Sequence, residues 1–304
     1  MALGSWLTYG GSVAEDAAVK CIQRAYELGI NLFDTANVYM YGGAEEILGR
    51  ALKEFPRSDY VLATKVFFQM GDGPNDRGLS RKHVSEQLHG SLRRLGVDYV
   101  DLYQCHRYDP ETPLEETCQV MDDLIRKGKV LYWGTSEWSA DQISHAVSLC
   151  RRSGMTEPVS NQPQYSLLDR APEKLILPTC EDLGLGNMAW TPLAMGILTG
   201  KYKSVSDVPE NSRASGADVE FMDEHFNQPT LDAVARLVPL AEEAGCSLAQ
   251  LALAWCLRQP SVSSVIVGAT SPDQVSENAV AADLDVDASL LDRATEILEP
   301  VAAR

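Results

Sequence analysis

Short apolar runs alternate along the chain with longer segments in which apolar residues recur every three or four positions. The short runs predict β-strands at residues 2–4, 31–33, 60–64, 99–104, 130–133, 158–161, 187–190 and 264–267. The periodic segments predict amphipathic helices at residues 15–28, 44–53, 81–95, 114–126, 140–152, 173–183, 231–244, 248–258 and 288–298. A strand followed by a helix, repeated without a linker, predicts a single α/β domain with a (β/α)8 TIM barrel fold rather than a doubly wound sheet.

Glycines and one long polar break punctuate this pattern. The glycines that follow a predicted helix are Gly29, Gly96, Gly128, Gly154 and Gly184. A residue with left-handed backbone is favoured at that position. After the seventh predicted strand, residues 201–230 are rich in Ser, Gly, Asp, Asn and Pro, and a loop of that length is usually functional. We expect this loop to lie over the C-terminal mouth of the barrel. We also expect one domain that spans residues 1–304 and ends in a helix.

Composition and charge narrow the classes of function. Of the 304 residues, 45% are hydrophobic and 23% are charged, which is ordinary for an enzyme with a large core. The formal net charge of −17 argues against nucleic acid or an anionic membrane as a partner, because both need a positive protein face. The sequence shows neither a long apolar span nor a secretion signal, so we expect a cytoplasmic protein.

Two common kinds of site have no signature in the sequence. The seven cysteines are scattered without a C-x-x-C pair, so we expect reduced thiols and no metal. No Gly-x-Gly-x-x-Gly follows a predicted strand, so a Rossmann nucleotide site has no support. A phosphate-bearing ligand would need a local cluster of Lys, Arg and backbone N–H groups set against the acidic surface.

Four titratable residues lie at or just beyond the C-terminal ends of the second, third and fourth predicted strands. They are Asp34, Tyr39, Lys65 and His106. Catalytic groups of (β/α)8 barrels occupy this end, and neighbouring strands lie about 4.8 Å apart, so we expect the four to meet. Taken singly, each has an ordinary alternative, namely a lysine in solvent, an aspartate that caps a turn, or a histidine satisfied in the core.

These residue types together predict proton donation to a carbonyl group. Lys65 lies among apolar neighbours, and an inward lysine needs a carboxylate partner, for which Asp34 is the nearest candidate. We expect the ammonium to lower the pKa of Tyr39 and so to ease proton transfer to a developing alkoxide. His106 would hydrogen-bond to the carbonyl oxygen and stabilise its growing charge.

Longer motifs carry a resemblance to a known family. They are Asp34-Thr-Ala-x-x-Tyr39, Tyr99-Val-Asp-Leu-x-x-x-His106, Gly134-Thr-Ser136, Asn161-Gln162-Pro-Gln-Tyr165 and Trp190-Thr-Pro-Leu-Ala-Met-Gly-Ile-Leu-Thr-Gly-Lys-Tyr202. With the strand of Lys65, they cover nearly the whole chain and resemble the aldo-keto reductase superfamily. The segments that favour the branch with the β subunits of voltage-gated potassium channels are Tyr132-Trp-Gly-Thr-Ser136, Ser212-Arg-Ala-Ser215 and Ala254-Trp-Cys-Leu-Arg258.

The resemblance implies a carbonyl reductase that uses NADPH, with NADH as the alternative, and in which Tyr39 is the general acid. It also implies that Ser136 and Gln162 hold the nicotinamide carboxamide and that Trp190 stacks on the ring. The other residues expected to line the cofactor are Ser5, Trp6, Asp34, Thr191, Pro192, Leu193, Ala194, Met195, Lys201, Arg213, Gly268, Thr270, Gln274, Glu277 and Asn278.

The residues themselves support the phosphate end of this assignment. The eighth predicted strand runs into a helix start at residues 268–274, where exposed N–H groups can receive a phosphate. The alternative is an ordinary capped helix, because Thr270 and Ser271 serve equally well as caps. Arg213, a planar donor in the long loop, suits a clamp on a 2′-phosphate.

Three departures from the family pattern affect these expectations. Family members usually begin with a β-hairpin that plugs the bottom of the barrel, and we expect this chain to lack it. Glu137 stands where the family more often has Asn or Arg against the cofactor, so it is not among the expected site residues. The basic residue often found after the eighth strand is absent, which leaves the choice between NADPH and NADH largely to Arg213.

Two functions stay open on the sequence alone. The first is reduction of a small-molecule aldehyde or ketone, with Trp6, Tyr41, Phe67 and Tyr108 as a candidate apolar wall or as ordinary surface aromatics. The alternative is a cofactor-binding, redox-sensing regulatory subunit of the potassium channel β type with little turnover. His106 favours the first, because channel β subunits tend to have Asn there. The branch often forms tetramers or larger rings, so a homo-oligomer is also an expectation.

Overall fold

Eight parallel β-strands close into a barrel in the computed structural model, which describes residues 1–6, 9, 13–210, 212–216, 219, 222 and 225–303. The strands are β1 Ala2–Gly4, β2 Leu32–Asp34, β3 Val61–Val66, β4 Val100–Cys105, β5 Val130–Ser136, β6 Ser160–Gln162, β7 Gly186–Trp190 and β8 Val262–Val267. Each strand pairs in parallel with the next along the chain, and β8 pairs with β1. The predicted (β/α)8 barrel is therefore confirmed.

Helices connect the strands on the outside of the barrel. They are α1 Glu15–Glu27, α2 Gly43–Leu52, α3 Arg81–Leu95, α4 Leu114–Arg126, α5 Ala140–Ser153, α6 Ile176–Leu183, α7 Gln228–Ala235, α8 Val238–Glu243, α9 Leu248–Leu257, α10 Pro272–Ala279 and α11 Ala288–Leu298. The predicted bounds of α3, α4 and α11 agree with the observed ones. All five glycines predicted to end helices have positive φ, as a left-handed C-terminal cap requires.

Two predicted helices differ from the observed ones, and proline explains both differences. The helix predicted at residues 231–244 is two helices, because Pro239 has no N–H to continue the hydrogen-bond ladder from α7 into α8. Its first part begins early, since the Asn227 side chain caps it by accepting from Thr230 N. The helix predicted at residues 173–183 begins only at Ile176, because Pro178 has no N–H to bond to Lys174 O and so fits only the first turn of a helix.

The barrel interior changes from apolar to polar along its axis. Ala63 and Leu102 belong to a small apolar cluster inside the barrel. Lys65 and Gln104 lie two residues further along the same strands and therefore on the same face. Both side chains hydrogen-bond to Asp34 at the end of β2. The polar groups thus gather at the C-terminal end, where the connecting loops meet.

The long polar loop lies partly outside the described residues, which omit 211, 217, 218, 220, 221, 223 and 224. Its described part contains a 3-10 turn at Arg213–Ser215, and Arg213 Nη1 lies 3.1 Å from Met195 Sδ. Met195 follows β7, so this part of the loop reaches the C-terminal end of the barrel. Among the helices that the structure describes, none is long and apolar enough to cross a membrane.

Candidate active site

A buried lysine connects a carboxylate to a phenol at the C-terminal end of the barrel. Lys65 Nζ donates to Asp34 Oδ1 at 2.5 Å and to Thr35 O at 2.8 Å, and it lies 3.2 Å from Tyr39 Oη. Lys65 is 0% exposed and Asp34 is 3% exposed. A charge removed from water in this way is tolerated only when it is paired and hydrogen-bonded, so the two strand ends hold each other's charges in place.

The second oxygen of Asp34 receives two amide groups. Gln162 Nε2 lies 3.0 Å and Gln104 Nε2 lies 3.3 Å from Asp34 Oδ2. Gln104 is a residue that the sequence reasoning missed, although it precedes His106 by two positions and so faces the same side of β4. Because Asp34 engages the amide nitrogen of Gln162, the oxygen of that side chain is what stays available for a ligand carboxamide.

Aromatic rings surround the Tyr39 hydroxyl. The rings of Tyr39 and His106 are 5.7 Å apart, and those of Tyr39 and Trp6 are 6.5 Å apart. The ring of Phe68 packs edge to face on His106 at 4.8 Å. His106 is buried, and its Nδ1 has no hydrogen-bond partner within the described part of the chain. The four residues predicted to form the site are therefore brought together.

Burial controls the protonation of this cluster. Burial first, and then the charges of Lys65 and Arg107, hold the pKa of His106 well below its usual value, so the imidazole is neutral at physiological pH. Burial lowers the pKa of Lys65, but Asp34 and Tyr39 together raise it above its usual value. Burial first, with the charge of Asp34, raises the pKa of Tyr39 above its usual value, although Lys65 and Arg107 lower it. The expected net lowering of the Tyr39 pKa is thus wrong, because the sequence could not reveal how deeply the phenol is buried.

Predicted cofactor residues surround the Tyr39 cluster at neighbouring strand ends. Ser5 Oγ donates to Thr35 Oγ1 at 2.9 Å, and Ser136 Oγ donates to Gln162 O at 3.0 Å. Trp6 packs edge to face on Trp190, with ring centroids 5.6 Å apart. The ends of β1, β5, β6 and β7 therefore present hydroxyls, an amide and two indoles at one mouth.

The segment after β7 has the backbone shape of an anion cradle. Thr191, Ala194 and Met195 have left-handed φ values of 49°, 44° and 55°, and Pro192 and Leu193 lie between them. Pro192 has no N–H, and Ala194 N donates to Thr191 O at 2.7 Å, which leaves the N–H of Leu193, between them, as a donor for a phosphate. Thr191 Oγ1 is buried without a hydrogen-bond partner in the described residues, so a donor or acceptor there is unused. The Leu193 N–H and the Thr191 hydroxyl are the groups here from which a phosphate could accept hydrogen bonds, and cofactor binding by this segment stays a prediction.

Two cations lie beside this cradle. Arg213 reaches Met195, as described above. The Lys201 ammonium packs against Gly196, just after the cradle. It lies so close that a Cβ added at this glycine would be 3.1 Å from Lys201 Nζ. The acidic protein therefore brings two positive side chains to the segment where the resemblance expects the cofactor phosphates.

The predicted adenosine end follows β8, the strand that pairs with β7. Ser271 Oγ caps α10 by accepting from Gln274 N, and Gln274 Oε1 accepts from both N and Oγ1 of Thr270. Gly268 lies just before this cap. Within α10, the backbone carbonyl of Glu277 accepts a hydrogen bond from Gln250 Nε2, and the Asn278 side chain is buried. The capped helix start is thus present, and cofactor binding by these residues stays a prediction.

The candidate substrate wall is only partly as predicted. Phe67 packs on Phe68, and the two line a cavity of about 380 Å³. Tyr108 instead packs edge to face on Trp138, and Tyr41 is 79% exposed. Phe68, which contacts His106 directly, was missed because loop residues after a strand have no periodicity that fixes their direction.

Comparison with known proteins agrees with this geometry. A model of the aldo/keto reductase family matches residues 1–299. The chain belongs to the aldo/keto reductase family. Members of this family are oxidoreductases that generally use NAD(P)H.

The similar proteins also identify the branch. A protein from Oryza sativa subsp. japonica, named "Probable voltage-gated potassium channel subunit beta", is 46% identical over 288 residues, which cover 93% of this chain and 87% of that protein. An Arabidopsis thaliana protein of the same name is 44% identical over 291 residues, which cover 93% of this chain and 87% of its own length. The predicted resemblance to the superfamily and to this branch is confirmed.

Proposed function

We propose that this protein is an NADPH-dependent oxidoreductase that reduces the carbonyl group of an aldehyde or ketone to an alcohol. The observation that carries the proposal is the contact of the buried Lys65 ammonium with both the Asp34 carboxylate and the Tyr39 hydroxyl. A buried ion pair needs no phenol for its own stability. Its contact with a hydroxyl at the barrel mouth supports a role for that hydroxyl in proton transfer.

In this mechanism Tyr39 donates its proton to the carbonyl oxygen as that oxygen gains negative charge. Lys65 stabilises the phenolate that is left behind, because its charge lies 3.2 Å from Oη and its side chain is fully buried. Asp34 keeps the ammonium in place. His106, held neutral by its low pKa, supplies a hydrogen bond to the same oxygen without competing as the acid.

The cofactor, when bound, supplies the hydride to the carbonyl carbon. Ser136 and the free oxygen of Gln162 would hold its carboxamide, and Trp190 would stack on its ring. The cradle at residues 191–195 with Lys201 would hold the diphosphate, and Arg213 would hold a 2′-phosphate. Ser5 and Trp6 would close the mouth on the other side. Gly268, Thr270, Gln274, Glu277 and Asn278 would bind the adenosine end.

A second candidate function is a redox-sensing regulatory subunit that binds the cofactor but turns over little. The names of the rice and Arabidopsis relatives favour it, since both are called potassium channel subunits. This candidate uses the same cofactor residues and also requires a protein partner. The regulatory subunit would bind that partner as a homo-oligomer. The His106 imidazole above Tyr39 favours the reductase.

The test is the loss of absorbance of NADPH, and separately of NADH, with a panel of small aldehydes and ketones. We expect Tyr39→Phe to lower the rate of reduction by about 100-fold or more while cofactor affinity is retained. Tyr132→Phe, which alters an exposed tyrosine, is the matched control and should leave the rate unchanged. Cofactor binding without any turnover would favour the regulatory subunit, and turnover that survives Tyr39→Phe would refute the proposed acid.

A further inference from the structure

Glu137 hydrogen-bonds to the tryptophan that is proposed to stack on the nicotinamide. Its Oε1 accepts from Trp190 Nε1 at 2.6 Å and from Gln164 N at 2.5 Å. Glu137 follows Ser136 directly, and its own N–H donates to Gln162 O at 3.2 Å. Glu137 therefore joins the ends of three strands, because its backbone follows Ser136 and contacts Gln162, and its carboxylate contacts Trp190.

The backbone of Glu137 turns its side chain into the site. Its φ is 57°, a left-handed conformation that is unfavourable for a residue with a side chain of this size. Thr191, which follows Trp190 on the other side of the contact, has a φ of 49°. The residues that follow β5 and β7 thus both hold uncommon conformations at the point where the carboxylate meets the indole. Such conformations persist where the surrounding contacts fix them.

The charge of Glu137 is not offset by an ion pair. Both of the donors described above are neutral groups, an indole N–H and a peptide N–H. Within the described residues, no lysine or arginine pairs with Glu137, whereas Asp34 is paired with Lys65. His106 is neutral because its pKa is well below the usual value. Glu137 therefore adds a net negative charge beside the proposed nicotinamide position.

We propose that Glu137 is a positioning and specificity residue that fixes the Trp190 ring and shifts the relative affinity of the site toward the oxidised cofactor. The nicotinamide ring is a cation when oxidised and neutral when reduced, so a nearby carboxylate stabilises only the oxidised form. Two unit charges about 12 Å apart near a protein surface still interact strongly enough to change a dissociation constant by about tenfold. The same effect makes the bound reduced cofactor a stronger hydride donor.

This inference rests on the proposed function, because it assumes that a nicotinamide cofactor binds beside Trp190. It differs from the family pattern, in which the Asn or Arg at this position carries no negative charge. It also applies to both candidate functions. A reductase would gain driving force for hydride transfer, and a redox sensor would respond to a different ratio of oxidised to reduced cofactor.

The test measures dissociation constants for NADP+ and NADPH separately, by quenching of tryptophan fluorescence, in the parent and in Glu137→Gln. The amide oxygen of Gln accepts the same two hydrogen bonds, so only the charge is removed. We expect the dissociation constant of NADP+ divided by that of NADPH to rise by about tenfold. The matched control is Asp182→Asn, which removes one exposed carboxylate from α6 and should leave the ratio unchanged.

A merely structural role predicts a different result. Loss of the Trp190 contact alone would weaken the binding of NADP+ and NADPH equally. An unchanged ratio of the two dissociation constants in Glu137→Gln therefore overturns the inference. This result would leave the proposed function intact if the parent binds cofactor and turns over. If Glu137→Gln does not fold, Glu137→Asn replaces it, because Asn tolerates left-handed backbone better. In the parent, added salt should move the ratio in the same direction as Glu137→Gln. A parent that binds neither form refutes the proposed function, and this inference with it.

Discussion

The Lys65 and Asp34 charges should be far more costly to remove singly than together. Lys65→Met keeps the length of the side chain but leaves the Asp34 carboxylate, among the described residues, with the amides of Gln104 and Gln162 as its remaining partners. Asp34 is 3% exposed, so water cannot replace the missing charge. A buried charge without its partner typically lowers the free energy of unfolding by about 3–5 kcal/mol. We expect Lys65→Met to fall in that range.

The opposite single change should also be destabilising. Asp34→Asn leaves the Lys65 ammonium with Thr35 O at 2.8 Å and Tyr39 Oη at 3.2 Å, which are neutral acceptors. We expect a loss of about 2–4 kcal/mol. The double variant has no buried charge in the pair, so its loss should be smaller than the sum of the single losses by about 2 kcal/mol or more.

Urea unfolding followed by far-ultraviolet circular dichroism measures the free energy of unfolding of each variant. Lys82→Met is the matched control, because Lys82 forms an ion pair with Glu86 on the surface of α3, where both side chains are 55% exposed. Its free energy of unfolding should barely change, since exposed pairs contribute little. The reasoning is refuted if the two single losses add up in the double variant, or if Lys65→Met costs no more than Lys82→Met.

Two further predictions concern pH and cofactor choice. Burial lowers the pKa of both His83 and His106 in the folded state, so unfolded chains take up protons first as the pH falls below about 6.5. The free energy of unfolding should therefore decrease from pH 7 to pH 5, by up to about 1.4 kcal/mol per pH unit for each histidine, and less steeply in His106→Gln. Urea titrations at several pH values measure this, and an equal slope in both proteins would contradict it. Arg213→Ala should weaken NADPH binding by about tenfold while hardly affecting NADH, with Arg236→Ala as the control. Equal losses for the two cofactors would show that Arg213 does not contact a 2′-phosphate.

The predictions from sequence were accurate where a local rule fixes direction. Lys65 and Asp34 end apolar strands, and parallel strands of a barrel bring their C-terminal ends to one mouth, so the pair could be identified without coordinates. Gln104 was missed, although its spacing from His106 already placed it on the same face of β4. The division of the helix at residues 231–244 was also missed, because the apolar period continues through Pro239 even though the hydrogen-bond ladder cannot.

Other features depend on three-dimensional distances that no pattern in the sequence contains. The net direction of the Tyr39 pKa is set by a competition between burial and Lys65, and the depth of burial depends on Trp6 and the surrounding loops. Glu137 was set aside as a departure from the family pattern. Its contact with Trp190 requires a left-handed turn after β5, which the residue type does not favour and the sequence therefore does not indicate.

The order of the strands around the barrel separates two tasks. The proposed proton donor and its supporting charges come from residues 34–106, on the first half of the barrel, whereas most proposed cofactor residues come from residues 136–278, on the second half. The two halves share the strand pairs β4 with β5 and β8 with β1, and Gln162 on β6 also hydrogen-bonds to Asp34 across the barrel. We therefore expect substitution of Tyr39, in the first half, to abolish turnover while nucleotide affinity survives. One ancestral barrel could in this way give rise to catalysts and to non-catalytic sensors by independent change in either half.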